Sequence, residues 1–478
     1  MLFNSNAFLQ FLAAFLLLFH LCRRHLVARN ALVLLASYVF YGWWDARFLV
    51  LLFLTSLLDF VAARRIETAV GPRGRKFWLS VSLAGNLGVL GVFKYFNFFV
   101  DSFVEVLAAV GLPADPRTLN IVLPVGISFY TFQSMSYSLD VYRGRLAATR
   151  NLLNFLAYVA FFPQLVAGPI ERASHLLPQF ESTRSITRTH LRDGLWLVLW
   201  GLFKKVVVAD NLAPMVELVY QHPTDSGPAV VLGTLAFAFQ IYGDFSGYSD
   251  IARGLAKWLG FDLMVNFNLP YFATSPREFW RRWHISLSTW LRDYLYISLG
   301  GNRRGLWRTR LNLLLTMVLG GLWHGAAWHF VLWGGWHGIG LVLTRKADLA
   351  ARPSDGLPAS TLPAAPGRWR RVVSWGATSL FVLYGWLLFR AGSWEQVAAM
   401  TGALANWHWP AWTPDYMQGL LAFVGPLLLV QWWQARSGDL LAPARAPAWV
   451  RGALQAVLVL LIVTFWKRQA SPFIYFQF

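Results

Sequence analysis

The sequence predicts an all-α, polytopic integral membrane protein. Three observations carry that prediction. Of the 478 residues, 56% are hydrophobic and only 14% charged, where a soluble protein of this length carries about 25% charged residues. Apolar runs recur along the whole chain, among them 6–20, 31–41 and 456–466, and a bilayer core about 30 Å thick asks for roughly 20 apolar residues per helical crossing. The alternating pattern of a membrane barrel is absent, which leaves helices as the spanning solution.

The crossings are read in order. The first is expected near 6–21, the second at 30–45, the third at 48–62 and the fourth at 78–97, which ends in the aromatic run KYFNFF. A fifth, near 120–140, contains LPVGISFYTFQSMSYSLD. Its hydroxyls face protein or a cavity, since lipid offers them no partner. Residues 152–170 are apolar but end in Pro and Gly, and they either span or re-enter. Further crossings are expected near 194–218, 229–250, 372–390, 417–434 and 450–466, for about 10–12 membrane helices in all.

Sidedness follows from charge. The net charge of +19 raises the question of nucleic acid, but Lys and Arg gathered in the loops of one membrane face account for it without that partner. With the crossings above, one set of loops holds 34 of the 42 Lys and Arg residues and the other set holds four. The basic side is therefore expected in the cytoplasm, with the N-terminus outside. In 1–24 the apolar run precedes the basic cluster Arg23–Arg24, the reverse of a cleavable signal. A single cysteine, Cys22, rules out an intramolecular disulfide and disfavours a thioester relay. Residues 347–371 read as a Pro/Ala/Gly-rich cytoplasmic linker between a core at 119–345 and C-terminal helices at 372–478, all within one membrane domain.

Ser275–Gly325 holds most of the chain's candidate chemistry. Ser275, Pro276 and Glu278 spell a helix start with a capping box. Phe279, Trp280, Trp283, Leu287, Trp290, Leu291, Tyr294 and Leu295 recur at three and four, so an amphipathic interfacial helix is expected from 275 to the Gly300–Gly301 stop. His284 falls on its apolar stripe. Next, Leu311–Thr344 runs 34 residues without an Asp, Glu, Lys or Arg. As one straight helix it would be about 51 Å long, far beyond the bilayer core, and basic residues adjoin both ends. A break is expected, with His324 near it and His329 and His337 further on.

A titratable side chain at that depth is a functional hypothesis by default. A neutral imidazole in a dry pocket can accept a proton from a hydroxyl. The bland alternative for His324 and His284 is a core histidine hydrogen-bonded to backbone or serine. Trp280, Trp283 and Trp323 are either packing or substrate-channel residues. Asp244 and Asp250 either line a cavity or pair with Arg or Lys. Glu171 and Arg172 read as an ion pair. No metal-ligand spacing or phosphate loop stands out.

Taken together, LPVGISFYTFQ (123–133), FFPQLVAGPIER (161–172), YGDFSGYSDIARG (242–254), NFNLPY (266–271), FWRRWHISLSTWLRDYLYISLGG (279–301), GLWHGA (321–326) and the terminal PFIYFQF (472–478) resemble the membrane-bound O-acyltransferases, and within them the bacterial alginate O-acetyltransferase type. The resemblance implies a ring of membrane helices around a central funnel. It implies that His324 is the catalytic residue and His284 its partner. It further implies a cytoplasmic thioester donor, acetyl-CoA, as co-substrate and no bound cofactor. Arg277, Arg281, Arg303 and Arg304 would suit the donor phosphates, or would simply be inside-positive charges. The acceptor would be an exported polysaccharide, reached through a periplasmic partner protein, with the enzyme in the bacterial inner membrane. Two other readings stay open at this point. One is a D-alanyl or peptidoglycan acyl transfer of the same family, and the other is a transporter or channel.

Overall fold

The computed structural model describes residues 1–478 except 113–117, 120, 223, 351–366, 468–472 and 475–478. The described residues form helices, turns and loops with no β-strand. They fall into two compact units, one of 1–206, 245–264 and 443–478, the other of 207–244 and 265–442. Among the described residues, four helices are long and apolar enough to cross a membrane: Gly71–Ala109, Gly227–Trp258, Arg368–Arg390 and Ala448–Phe465. Asn6–Cys22 and Leu26–Gly42 are shorter apolar helices at the first two predicted crossings.

In the first unit, Arg47–Thr68, Gly71–Leu90 and Ile127–Tyr142 meet around one carboxylate. Asp59 is fully buried. It accepts hydrogen bonds from Ser82 (2.5 Å), Asn86 (2.8 Å) and Ser138 (3.1 Å). A buried carboxylate needs such donors to offset lost hydration, and here they tie three helices together. The hydroxyl-rich helix predicted to face protein does so, since Ile127–Asp140 is almost entirely buried.

Residues 152–170 resolve as the eight-residue helix Leu152–Val159 followed by buried turns. Such a helix is about 12 Å long and does not cross a bilayer. Its exit leaves buried backbone groups that need partners. Gln133 donates to the Tyr158 carbonyl (2.9 Å), and the Ser37 hydroxyl accepts from the Phe162 N–H (3.0 Å). Further along, Arg188–Leu202 lies against the 245–258 part of Gly227–Trp258 through two glycine pairs seven residues apart. A Cβ on Gly201 would come within 2.6 Å of the Gly247 carbonyl, and one on Gly194 within 2.8 Å of the Gly254 carbonyl. Small residues of this kind let two backbones approach closely.

The second unit contains a helical hairpin, Gly305–His324 and Trp328–Ala350. The break predicted within Leu311–Thr344 lies at 325–327. A Cβ on Gly321 would strike the Phe330 carbonyl, and one on Gly334 the Met317 carbonyl, so the two arms touch backbone to backbone. Arg368–Arg390 and Thr413–Ser437 follow, with the short helix Trp394–Ala403 between them, in a stretch read from sequence as loop. The expected linker at 347–371 falls largely outside the described residues. Helix extends to Ala350 and resumes at Arg368, while 351–366 lie outside the described residues.

Candidate active site

The expected single helix from Ser275 to Gly300 is two short helices with a corner between them. Pro276–Arg282 starts as its sequence dictates. The Ser275 hydroxyl accepts from the Glu278 N–H (3.2 Å), while the Glu278 carboxylate accepts from the Thr274 N–H (2.8 Å), one residue before the cap. Trp283 is extended, His284 adopts a left-handed conformation (φ 44°, ψ 55°), and Ile285–Trp290 resumes the helix. The cause is non-local. The Asn268 N–H donates to the Arg282 carbonyl (2.9 Å) and the Ile285 N–H to the Asn266 carbonyl (2.9 Å). These two bonds draw the chain onto the 266–268 segment and hold the turn open. After Trp290 the chain runs as a π-helix, Leu291–Tyr296.

Asn266 also fixes the histidine. Its Oδ1 accepts from the Ser286 N–H (3.2 Å) and hydroxyl (2.9 Å) and lies 3.3 Å from His284 Nδ1. An oxygen already accepting twice from Ser286 takes the His284 Nδ1–H as well. The neutral ring therefore keeps its lone pair on Nε2. His284 is fully buried.

His324 closes the first arm of the hairpin, where Gly325 leaves the helix in extended conformation. A Cβ at 325 would run into the Phe330 ring. The His324 ring lies 6.3 Å from that of His284, centre to centre, at 65°. Trp323, Trp333 and Phe389 surround it at 5.0, 5.0 and 5.6 Å, all edge to face. Two histidines 40 positions apart in sequence thus share one aromatic chamber.

The other candidates separate. Trp323 touches both rings, lying 5.9 Å from His284. Trp280 donates its indole N–H to His337 Nδ1 (3.3 Å) and packs on Trp333 at 5.6 Å. Trp283 is fully buried between Phe267, Phe279 and Trp386. Arg281, Arg303 and Arg304 are exposed. Asp250 belongs to the other unit, where it pairs with Lys204 (2.6 Å) and Arg253 (3.2 Å). Glu171 accepts from His175 (2.7 Å) and from the Met264 N–H. Sequence reasoning passed over Asn266, Ser286 and Trp333. Of these, Asn266 and Ser286 carried a signal, since Asn266 opens NFNLPY and Ser286 lies within FWRRWHISLSTW. No cluster of metal-ligating side chains occurs among the described residues.

Buried histidines that meet in one aromatic chamber of a multi-pass helical membrane protein suit proton-transfer chemistry. The comparisons make it particular. Residues 144–386 match the model of the membrane-bound O-acyltransferase family, MBOAT. The chain is 45% identical to the "Probable alginate O-acetylase AlgI" of Pseudomonas putida over 84% of this chain and 80% of that one. It is 35% identical to the peptidoglycan O-acetyltransferase of Helicobacter pylori, over 76% and 71%. It is 27% identical to the teichoic acid D-alanyltransferase of Streptococcus thermophilus, over 61% and 75%. The chain belongs to the membrane-bound O-acyltransferase family and is an O-acyltransferase.

Proposed function

We propose that the protein moves an acetyl group from cytoplasmic acetyl-CoA to O-acetylate an exported polysaccharide such as alginate. In this reading it sits in the bacterial inner membrane with its N-terminus in the periplasm. A periplasmic acetyltransferase partner carries the group to the polymer. The names of the 44–46% identical relatives favour acetate and alginate, and the one-sided distribution of Lys and Arg favours a cytoplasmic site for the anionic donor.

The observation that carries the chemistry is the 6.3 Å approach of the His284 and His324 rings. His324 takes the proton of the acceptor hydroxyl as its oxygen attacks the thioester carbonyl. The C–O bond forms, the C–S bond breaks, and the departing thiolate receives the proton back from His324. His284, anchored through Nδ1 on Asn266, presents the Nε2 lone pair to a second O–H or N–H group of the acceptor or donor, distinct from the proton that His324 removes, and so orients it. Trp323 and Trp333 exclude water, which would otherwise compete for the acyl group.

The test is ester-linked acetate on the exported polysaccharide. It compares cells lacking the protein, cells given it back, and cells given His324→Ala at equal membrane abundance. Restoration by the intact protein alone supports the reading. Full restoration by His324→Ala overturns the base assignment. An intact protein that changes polysaccharide acetate not at all directs the acyl group elsewhere. Peptidoglycan, the acceptor named for the Helicobacter pylori relative, would be assayed next.

A further inference from the structure

We infer that His337 is a positioning residue of the acyl-transfer site. It sets the orientation of Trp280 through its Nδ1, and Trp280 with Trp333 forms the wall behind His324. The inference rests on the reading of His284 and His324 as the acyl-transfer pair.

Four observations carry it. First, the only hydrogen an indole nitrogen can share is its own, so in the 3.3 Å contact Trp280 donates and His337 Nδ1 accepts. The ring proton of neutral His337 then sits on Nε2, and a cationic ring would set two N–H groups against each other. Second, Nε2 has no hydrogen-bond partner among the described residues, although His337 is fully buried. Leaving a donor unmatched in a buried place has a cost, and it follows directly from assigning Nδ1 to Trp280.

Third, the ring cannot turn to recover a partner. Phe279 stacks on it at 6.0 Å and 12°, and Phe381 meets it edge-on at 5.4 Å. On its Nε2 side lies Gly385, where a Cβ would come within 2.8 Å of Nε2. Fourth, the contacts run without a gap to the chamber. Trp280 meets Trp333 at 5.6 Å, Trp333 meets His337 at 5.0 Å, and Trp333 meets His324 at 5.0 Å. His337 touches neither His324 nor His284 in this chain of contacts. It acts through the two indoles.

The discriminating pair is His337→Asn and His337→Leu. Asparagine places an acceptor oxygen near the Nδ1 position but fills less space; leucine fills more space and accepts nothing. A packing role therefore ranks Leu above Asn, and the proposed role ranks Asn above Leu. In proteoliposomes supplied with acetyl-CoA, the periplasmic acetyltransferase partner and polysaccharide, His337→Leu is expected to lower kcat about tenfold or more with little change in KM for the donor, as for a misplaced wall residue. His337→Asn is expected to keep roughly a third of the rate or better. Trp280→Phe removes the donor. It should reproduce the leucine loss and add nothing to it in the double variant.

An activity-free readout separates this inference from the proposed function. With 5-fluorotryptophan incorporated, the 19F resonance missing from Trp280→Phe belongs to Trp280. It should shift in His337→Leu and stay near its native position in His337→Asn. If the native protein transfers no acetate but the resonance behaves so, the function is wrong and the contact is right. Leu matching or exceeding Asn in rate, additive effects of His337→Leu and Trp280→Phe, or an unmoved resonance in His337→Leu would each overturn the inference.

Discussion

Replacing Asn266 by alanine should damage the site more than its single small side chain suggests. Its Oδ1 accepts from the Ser286 N–H, the Ser286 hydroxyl and His284 Nδ1, all buried. The hydroxyl can rotate to another acceptor. The Ser286 N–H is fixed by the backbone, and the imidazole N–H can only shift to Nε2. At least one buried donor, and at most two, is left unmatched at about 1–3 kcal/mol each, for an expected loss of about 1–6 kcal/mol. The rate should suffer further. If the proton moves to Nε2, the His284 lone pair turns away from the acceptor, and the Ser286 N–H beside the left-handed corner loses its acceptor, while the backbone bonds at Asn266 and Asn268 remain. A misplacement of about 1 Å costs on the order of 100-fold. The assay pairs thermal unfolding in detergent micelles with acetyl transfer, using Ser286→Ala as the comparison. That variant removes only the hydroxyl and should lose about 1 kcal/mol. An Asn266→Ala protein with native unfolding midpoint and a rate within about twofold of native would refute the anchoring argument.

The other predictions test the backbone and one ion pair. At His284 the φ of 44° favours glycine, so His284→Gly should unfold at a higher temperature than His284→Ala by the equivalent of about 1 kcal/mol, the reverse of their order in a helix interior. Gly334→Val puts a branched side chain against the Met317 backbone, and the hairpin should lose about 3 kcal/mol or more, read as lost membrane abundance and early aggregation on size exclusion. His175 is half-exposed, outside the membrane-spanning segments. The Glu171 hydrogen bond raises its pKa above 6.5, against an opposing effect of burial. A raised folded pKa gives stability that is complete below about 6.5 and disappears as pH rises through the folded value. The midpoint difference between native protein and His175→Ala should therefore shrink from about pH 6 to about pH 8.5. A constant difference would show that the pair contributes through packing alone.

Local rules were readable wherever the cause was local. Ser275, Pro276 and Glu278 announce a helix start within four residues, and the helix starts there. The break at 325–327 follows from length alone, because 34 uncharged residues exceed one crossing. Ser393 and Gln396 carry the same kind of signal for Trp394–Ala403. Ser393 accepts from the Gln396 N–H, and the Gln396 side chain accepts from the Gly392 N–H. That signal was simply outweighed by the surrounding loop composition. The corner at His284 was not readable. Its residues fit an unbroken apolar stripe, and only Asn266 and Asn268, 18 and 16 positions upstream, redirect the chain. The inward direction of His284 was right for a reason that survives the break. Asp250 was undecidable from sequence for a similar reason, since its partner Lys204 comes 46 positions earlier. Periodicity reports which face is buried. It does not report where a distant side chain interrupts the helix.

The backbone contact between Gly321 and the second arm of the hairpin has a mechanical consequence. His324, Trp333 and His337 all ride on the two arms that this contact locks, so they move as one piece. His284 stands on a separate corner, braced by Asn266. The spacing between the two rings then depends on how the hairpin seats against the 276–284 segment, through the Trp280–His337 hydrogen bond and the Trp323–His284 contact. A distant substitution that tilts the hairpin changes that one spacing and leaves the chamber's internal shape intact. Such changes would alter turnover smoothly, as turning one screw does, instead of dismantling the site.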